Sequence, residues 1–144
     1  MAKARSGYRG YVTCREFGGL RVPVPVQSLL LRDYCQRKQL LYKLHVNENI
    51  FPHSYMVLEG LLETLEGFEG IVMTSVFMLP QRAARRRAIY ERIIALGVEL
   101  HGALEEMIVA TRSDVARVEE ILRISELLPA CPSSIPGPAG AGAG

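Results

Sequence analysis

Three groups of residues have types and spacings that could do chemistry. In the first, Asn47-Glu48-Asn49 is followed by His53 and Tyr55. A carboxylate and an imidazole this close form a general-base pair, and the amides and phenol would orient a hydroxyl-bearing substrate. The alternative is that the same carboxylate and ring only cap the start of a helix. In the second, Thr13-Cys14-Arg15, a thiol stands beside a guanidinium that favours its thiolate and hence nucleophilic attack. The alternative there is a small side chain packed into a tight loop. The third is the run Gln81 to Arg87, in which Arg82, Arg85 and Arg86 at i, i+3 and i+4 share one helix face. Cations at a helix N-terminus oppose the macrodipole, at up to about 1 kcal/mol each. Gathering them there makes sense if an anion such as phosphate or sulfate docks between them. A solvated basic face is the plainer account.

Other chemistries find no support. His45, His53 and His101 show neither HxH nor HxxxH spacing, and Cys14, Cys35 and Cys131 form no CxxC pair, so no metal site and no disulfide framework are expected. No GxGxxG or GxxxxGK[ST] string is present, so no dinucleotide or other cofactor is called for. Seventeen Lys and Arg against 15 Asp and Glu leave a net charge of +2, which asks for neither nucleic acid nor an anionic membrane as partner. The basic start, MAKARSGYRGYV, lacks the apolar stretch of a signal peptide, and no run approaches the roughly 18 apolar residues of a membrane span. The expected compartment is the reducing cytoplasm.

These groups need elements to position them. The chain has 144 residues, 49% of them hydrophobic, enough for one domain with an ordinary core. Strand signals fall at 7–13, 40–46, 71–77 and 98–104, the third nearly continuous in apolar residues as a strand covered on both faces should be. Helical periodicity falls between them at 26–38, 52–65 and 81–96, and a last helix is expected after Ser113 as N-cap. The order βαβαβαβα requires crossovers, hence an α/β domain over 1–128: a three-layer, mainly parallel four-stranded sheet with helices on both faces, Rossmann-like in organisation. Residues 129–144, rich in Pro, Gly and Ala, are expected to form a disordered tail. In open parallel sheets ligands bind beyond the carboxyl ends of the strands. That rule selects Thr13, Cys14 and Arg15 after the first strand, and Asn47, Glu48 and Asn49 after the second. It adds Ser75, with Phe77 and Gln81, at the third and Glu105 after the fourth.

Two resemblances follow from particular strings. Gly10-Tyr11-Val12-Thr13, the helix from Gln27 to Tyr34, the stretch Ser75 to Gln81 and the segment GVELHGALEEMIV resemble, in order and position, the catalytic domain of the serine recombinases (resolvases and invertases). The resemblance implies a resolvase-like fold over about residues 7–127 and draws attention to Gln27. No serine stands at the nucleophile's place, where Thr13 and Cys14 are nearest, and Phe77, Met78 and Pro80 replace that family's phosphate-gripping arginines. Recombination is therefore not implied. The strings VPVPVQSLLLRDYC, YKLHVNENIFPHSYMVLEGLL and GIVMTSVFMLP resemble the sporadic carbohydrate cluster proteins. Those are encoded among bacterial genes for surface-carbohydrate or specialised-metabolite assembly, which implies a pathway rather than a reaction.

The resulting expectation is a small biosynthetic enzyme acting on a sugar-like or nucleotide-linked intermediate by acid/base chemistry. Glu48, His53, Tyr55 and Cys14 are its candidate catalytic residues. Thr13, Arg15, Gln27, Asn47, Asn49, Ser75, Arg82 and Glu105 are candidates for holding an anionic, sugar-like substrate. Isomerisation, elimination and hydrolysis all remain open. The alternative is a non-catalytic binding or scaffold protein for a partner enzyme. A domain this small is also expected to self-associate.

Overall fold

The computed structural model describes residues 5–48, 50, 51 and 53–127. The expected tail, Asn49 and Cys131 lie outside them. The elements are β1 (Tyr8–Val12), α1 (Val24–Arg37), β2 (Tyr42–Asn47), α2 (Met56–Glu63), β3 (Gly70–Met73), α3 (Ala83–Leu96), β4 (Glu99–Gly102), β5 (Met107–Val109) and α4 (Arg112–Leu127). Short 3-10 turns occupy Leu65–Gly67 and Val76–Met78.

The sheet order is β2-β1-β3-β4-β5, with β1 parallel to both β2 and β3, and β3 parallel to β4. The α/β architecture with a mainly parallel sheet is therefore the one expected from the alternation of elements. It has five strands rather than four, because β5 folds back antiparallel on β4, pairing Leu100 with Val109 and Gly102 with Met107. The connecting turn places Glu106 at φ 52, a left-handed conformation more usual for Gly or Asn. The Glu106 carboxylate takes ion pairs from Lys38 at 2.9 Å and Arg37 at 3.6 Å, which tie the turn to the end of α1.

Strand alternation sorts the core into two layers. Tyr11, Ile71, Met73 and Leu100 face α2, α3 and α4 and pack with Leu58, Leu62, Ile89, Ile93 and Val118. Tyr8, Val12 and Val72 point the other way, onto Leu31, Tyr34 and Cys35 of α1. That second layer contains a polar chain. The Tyr34 hydroxyl lies 2.7 Å from His101 Nδ1, His101 Nε2 lies 2.8 Å from Glu99, and Tyr8 donates to the same Glu99 oxygen at 2.7 Å.

Helix ends follow local chemistry. α1 carries a proline in its first turn, where no amide is needed. α3 ends on Gly97 at φ 68, whose N–H bonds back to the last turn. α4 begins earlier than a Ser113 cap would place it. Thr111 Oγ1 accepts from the Asp114 amide at 3.3 Å while the Asp114 carboxylate accepts from Thr111 and Ala110, a reciprocal capping arrangement.

Candidate functional site

The carboxyl ends of β1 and β3 open onto a cleft closed from the far side by the start of α2. One part, about 390 Å³, is lined by His53, Tyr55, Pro80, Gln81, Arg82 and Arg85. A narrower part of about 150 Å³ shares His53, Tyr55 and Gln81 and reaches inward to Thr13, Arg15 and Phe77. Small-molecule sites are commonly clefts of about 300–1,000 Å³, so the larger part falls in that range.

Tyr55 organises the cleft. The Arg15 guanidinium lies 5.0 Å from the centre of its ring and the Arg85 guanidinium 5.2 Å, so one phenol ring carries two cations. Arg15 Nη1 donates to the Phe51 carbonyl at 2.7 Å. Arg85 Nη1 donates to the His53 carbonyl at 3.1 Å, and Nη2 to Glu59 at 3.2 Å. Arg82, exposed at the residue preceding α3, supplies the third guanidinium, and Glu16 is the acidic member of the inner wall. His53 sits at φ 60, in the left-handed region. Histidine enters that region more readily than most side chains, and strained backbone of this kind clusters at functional sites. The imidazole is exposed to solvent and so accessible to a ligand.

Other candidates stand behind the cleft as its framework. Glu48 is buried; it accepts from the Tyr11 hydroxyl at 2.7 Å, from the Leu58 amide at 3.1 Å and from the Val57 amide at 3.2 Å. It thereby serves the first turn of α2, a helix whose own preceding residue, Tyr55, gives no side-chain cap. Burial first, and the Glu48 carboxylate second, push the Tyr11 phenol far above its ordinary value, so it remains a donor.

Gln27 is wholly buried, and its amide spans two strand ends. Its Nε2 donates to the Thr13 carbonyl at 2.6 Å and the Val22 carbonyl at 2.7 Å. Its Oε1 accepts from the Thr13 amide at 3.2 Å and the Thr74 hydroxyl at 2.9 Å. Glu105 accepts from the Ser75 hydroxyl at 2.6 Å and the Val76 amide at 2.9 Å, pinning the 3-10 turn that ends β3 short of the expected 71–77. Asn47 is exposed at the end of β2, and Cys14 is half-buried in the loop after β1. Neither is among the described residues that line the cleft.

The expected face of three arginines divides. Arg86 is buried and turned towards α4, where Nε and Nη2 grip both oxygens of Glu119 at 2.7 and 2.8 Å. Its Nη1 donates to the Pro80 and Gln81 carbonyls. Arg82 and Arg85 alone of the three line the larger part of the cleft. Helical spacing sets a face about a hundred degrees wide, and α4 docks on one margin of it.

Glu16 and Phe17 of the inner wall were not among the candidates read from the sequence, and Met78 entered only as the replacement for an arginine. The signal for Phe17 is Gly18-Gly19 flanked by two apolar residues, a two-residue hairpin pattern. Its Phe17–Leu20 bridge is present, with φ 56 and 78 at the glycines. Among the described residues no three His, Cys, Asp or Glu gather as metal ligands, and no helix is long and apolar enough to cross a membrane.

The fold is resolvase-like. It is similar to the N-terminal catalytic domain of TP901-1 integrase, with a TM-score of 0.58 and 12% identity, over 82% of this chain and 94% of that domain. No protein-family model and no curated protein matches the chain. At that identity the likeness speaks for the fold alone.

Proposed function

We propose that the chain is a small enzyme that binds an anionic, sugar-like or nucleotide-linked intermediate in this cleft and moves a proton with His53. The observation that carries the reading is the gathering of Arg82 and Arg85 with one accessible imidazole around the larger part of the cleft, with Arg15 in the narrow part that shares His53 and Tyr55. Guanidinium groups bind phosphate and carboxylate in forked geometry, and an imidazole can take or give a proton near neutral pH. With Glu48 committed to the start of α2, the acid/base role falls to His53, and the Tyr55 ring carries Arg15 and Arg85. The resemblance of the VPVPVQSLLLRDYC and YKLHVNENIFPHSYMVLEGLL strings to sporadic carbohydrate cluster proteins supports a bacterial carbohydrate or specialised-metabolite pathway in the cytoplasm. The reaction needs neither metal nor redox cofactor on this reading.

The test uses purified protein, first titrated with inorganic phosphate by NMR and then incubated with a metabolite extract followed by mass spectrometry. Phosphate should shift the amides around Arg82 and Arg85. The variant His53→Asn should lose metabolite turnover with unchanged unfolding, because the ring is exposed and asparagine tolerates the left-handed backbone at φ 60. Undiminished turnover in that variant, or no response to phosphate, rejects the proposal.

A second reading is a non-catalytic scaffold. It is favoured by Ile50, Phe51 and Met56, which are 68%, 67% and 70% exposed around the segment that carries His53. A scaffold would retain its partner when His53 is replaced.

A further inference from the structure

Beside the arginine-lined cleft runs a second depression of about 460 Å³. It lies between the Gly18-Gly19 turn, the side chains of Phe77 and Gln81, and Ser125 and Glu126 of α4. Phe77 and Gln81 also line the narrow part of the cleft, so the two hollows form one surface bent over those residues. Their chemistry differs. The cleft is rich in guanidinium groups, whereas the groove offers a hydroxyl, a carboxylate and an aromatic ring. Arg86 touches the groove, but its guanidinium is spent on Glu119 and on the Pro80 and Gln81 carbonyls. An anion gains nothing by entering, because Glu126 repels it.

The groove suits a neutral ring bearing hydroxyls. Its hydroxyls can donate to the Glu126 carboxylate and exchange hydrogen bonds with Ser125 and the Gln81 amide. Its C–H face can lie against the apolar Phe77 side chain. The hairpin turn at the rim is closed by reciprocal Phe17 and Leu20 bonds of 2.9 Å, which use neither glycine's N–H. A Cβ on Gly19 would meet nothing within 4 Å, so the backbone there borders open space.

We propose that this groove is a sugar subsite, and that the protein's ligand is a glycosyl phosphate lying across Phe77 and Gln81. The phosphate sits at Arg82 and Arg85, and the sugar ring occupies the groove. The inference rests on the anion reading of the cleft and adds the second half of the molecule.

Calorimetric titration of the full chain decides it, with inorganic phosphate and with the 1-phosphates of glucose, galactose and mannose as probes. At least one sugar phosphate should bind about tenfold more tightly than inorganic phosphate. Ser125→Trp, at an exposed position of α4, should remove that gain and leave phosphate binding unchanged. The double variant Arg82→Ala/Arg85→Ala should weaken both. Equal affinity for phosphate and all three sugar phosphates, or a gain that survives Ser125→Trp, overturns the sugar subsite while the anion site stands. Absence of any phosphate binding overturns both.

Discussion

Replacing Gln27 with leucine keeps the side chain's bulk and removes four hydrogen bonds from the interior. The amide joins the Thr13 N–H and carbonyl, the Val22 carbonyl and the Thr74 hydroxyl, and the residue is 0% exposed. The Thr74 hydroxyl can rotate to another acceptor and the Val22 carbonyl is only part-buried, but the Thr13 N–H and carbonyl lose this partner in the interior. Stranding a buried polar group costs about 1–3 kcal/mol. Allowing for some relaxation and for the gain from burying an apolar side chain, the expected loss is about 3–5 kcal/mol. A domain has only about 5–15 kcal/mol in total. Urea unfolding followed by circular dichroism measures the change, and backbone NMR shifts at Thr13 and Arg15 report whether the loop after β1 has moved. A loss under about 1 kcal/mol with unmoved shifts would refute the reasoning, since it would mean that the strand ends need no tie.

Two further perturbations test the framework. Burial holds His101 below its ordinary value of 6.5 against the opposing pull of Glu99. The unfolded chain therefore takes its proton first as the pH falls, and the stabilisation is complete above about 6.5 and lost progressively below it. Urea unfolding at about pH 7.5 and about pH 5.5 should show lower stability in acid, a difference that His101→Phe flattens; a flat wild-type profile contradicts this. Arg86→Ala leaves Glu119 without its fork and should cost about 2–3 kcal/mol, discounted because Glu119 is 34% exposed, whereas Arg82→Ala should stay within about 0.5 kcal/mol. Equal costs in thermal unfolding would show that the two arginines are not divided between framework and cleft.

The alternation of strands and helices was legible because β3 is apolar on both faces and the helices between strands are long enough to cross over. The fifth strand was not. It has three residues, and its turn turns on Glu106 rather than on a glycine, held by Arg37 and Lys38 from a distant helix. The start of α2 was misplaced for a similar reason: its cap is Glu48, supplied from the end of β2 rather than by a residue adjoining the helix. In the cleft, the rule that strand ends gather ligands brought Thr13, Arg15, Phe77 and Gln81 into consideration, while residue type and spacing brought His53, Tyr55, Arg82 and Arg85. Spacing alone left Arg86 beside Arg82 and Arg85, because only the docking of α4 gives it the half-buried Glu119 carboxylate to grip.

The two guanidinium groups flanking Tyr55 have a second occupation: one holds the Phe51 carbonyl, the other the His53 carbonyl. The same N–H donors that would welcome a guest already suspend the stretch of backbone that presents the imidazole. A phosphate drawing either donor away would release its hold on the Phe51 or the His53 carbonyl. On the proposed reading, occupancy of the cleft and the placement of His53 would be coupled through these shared donors.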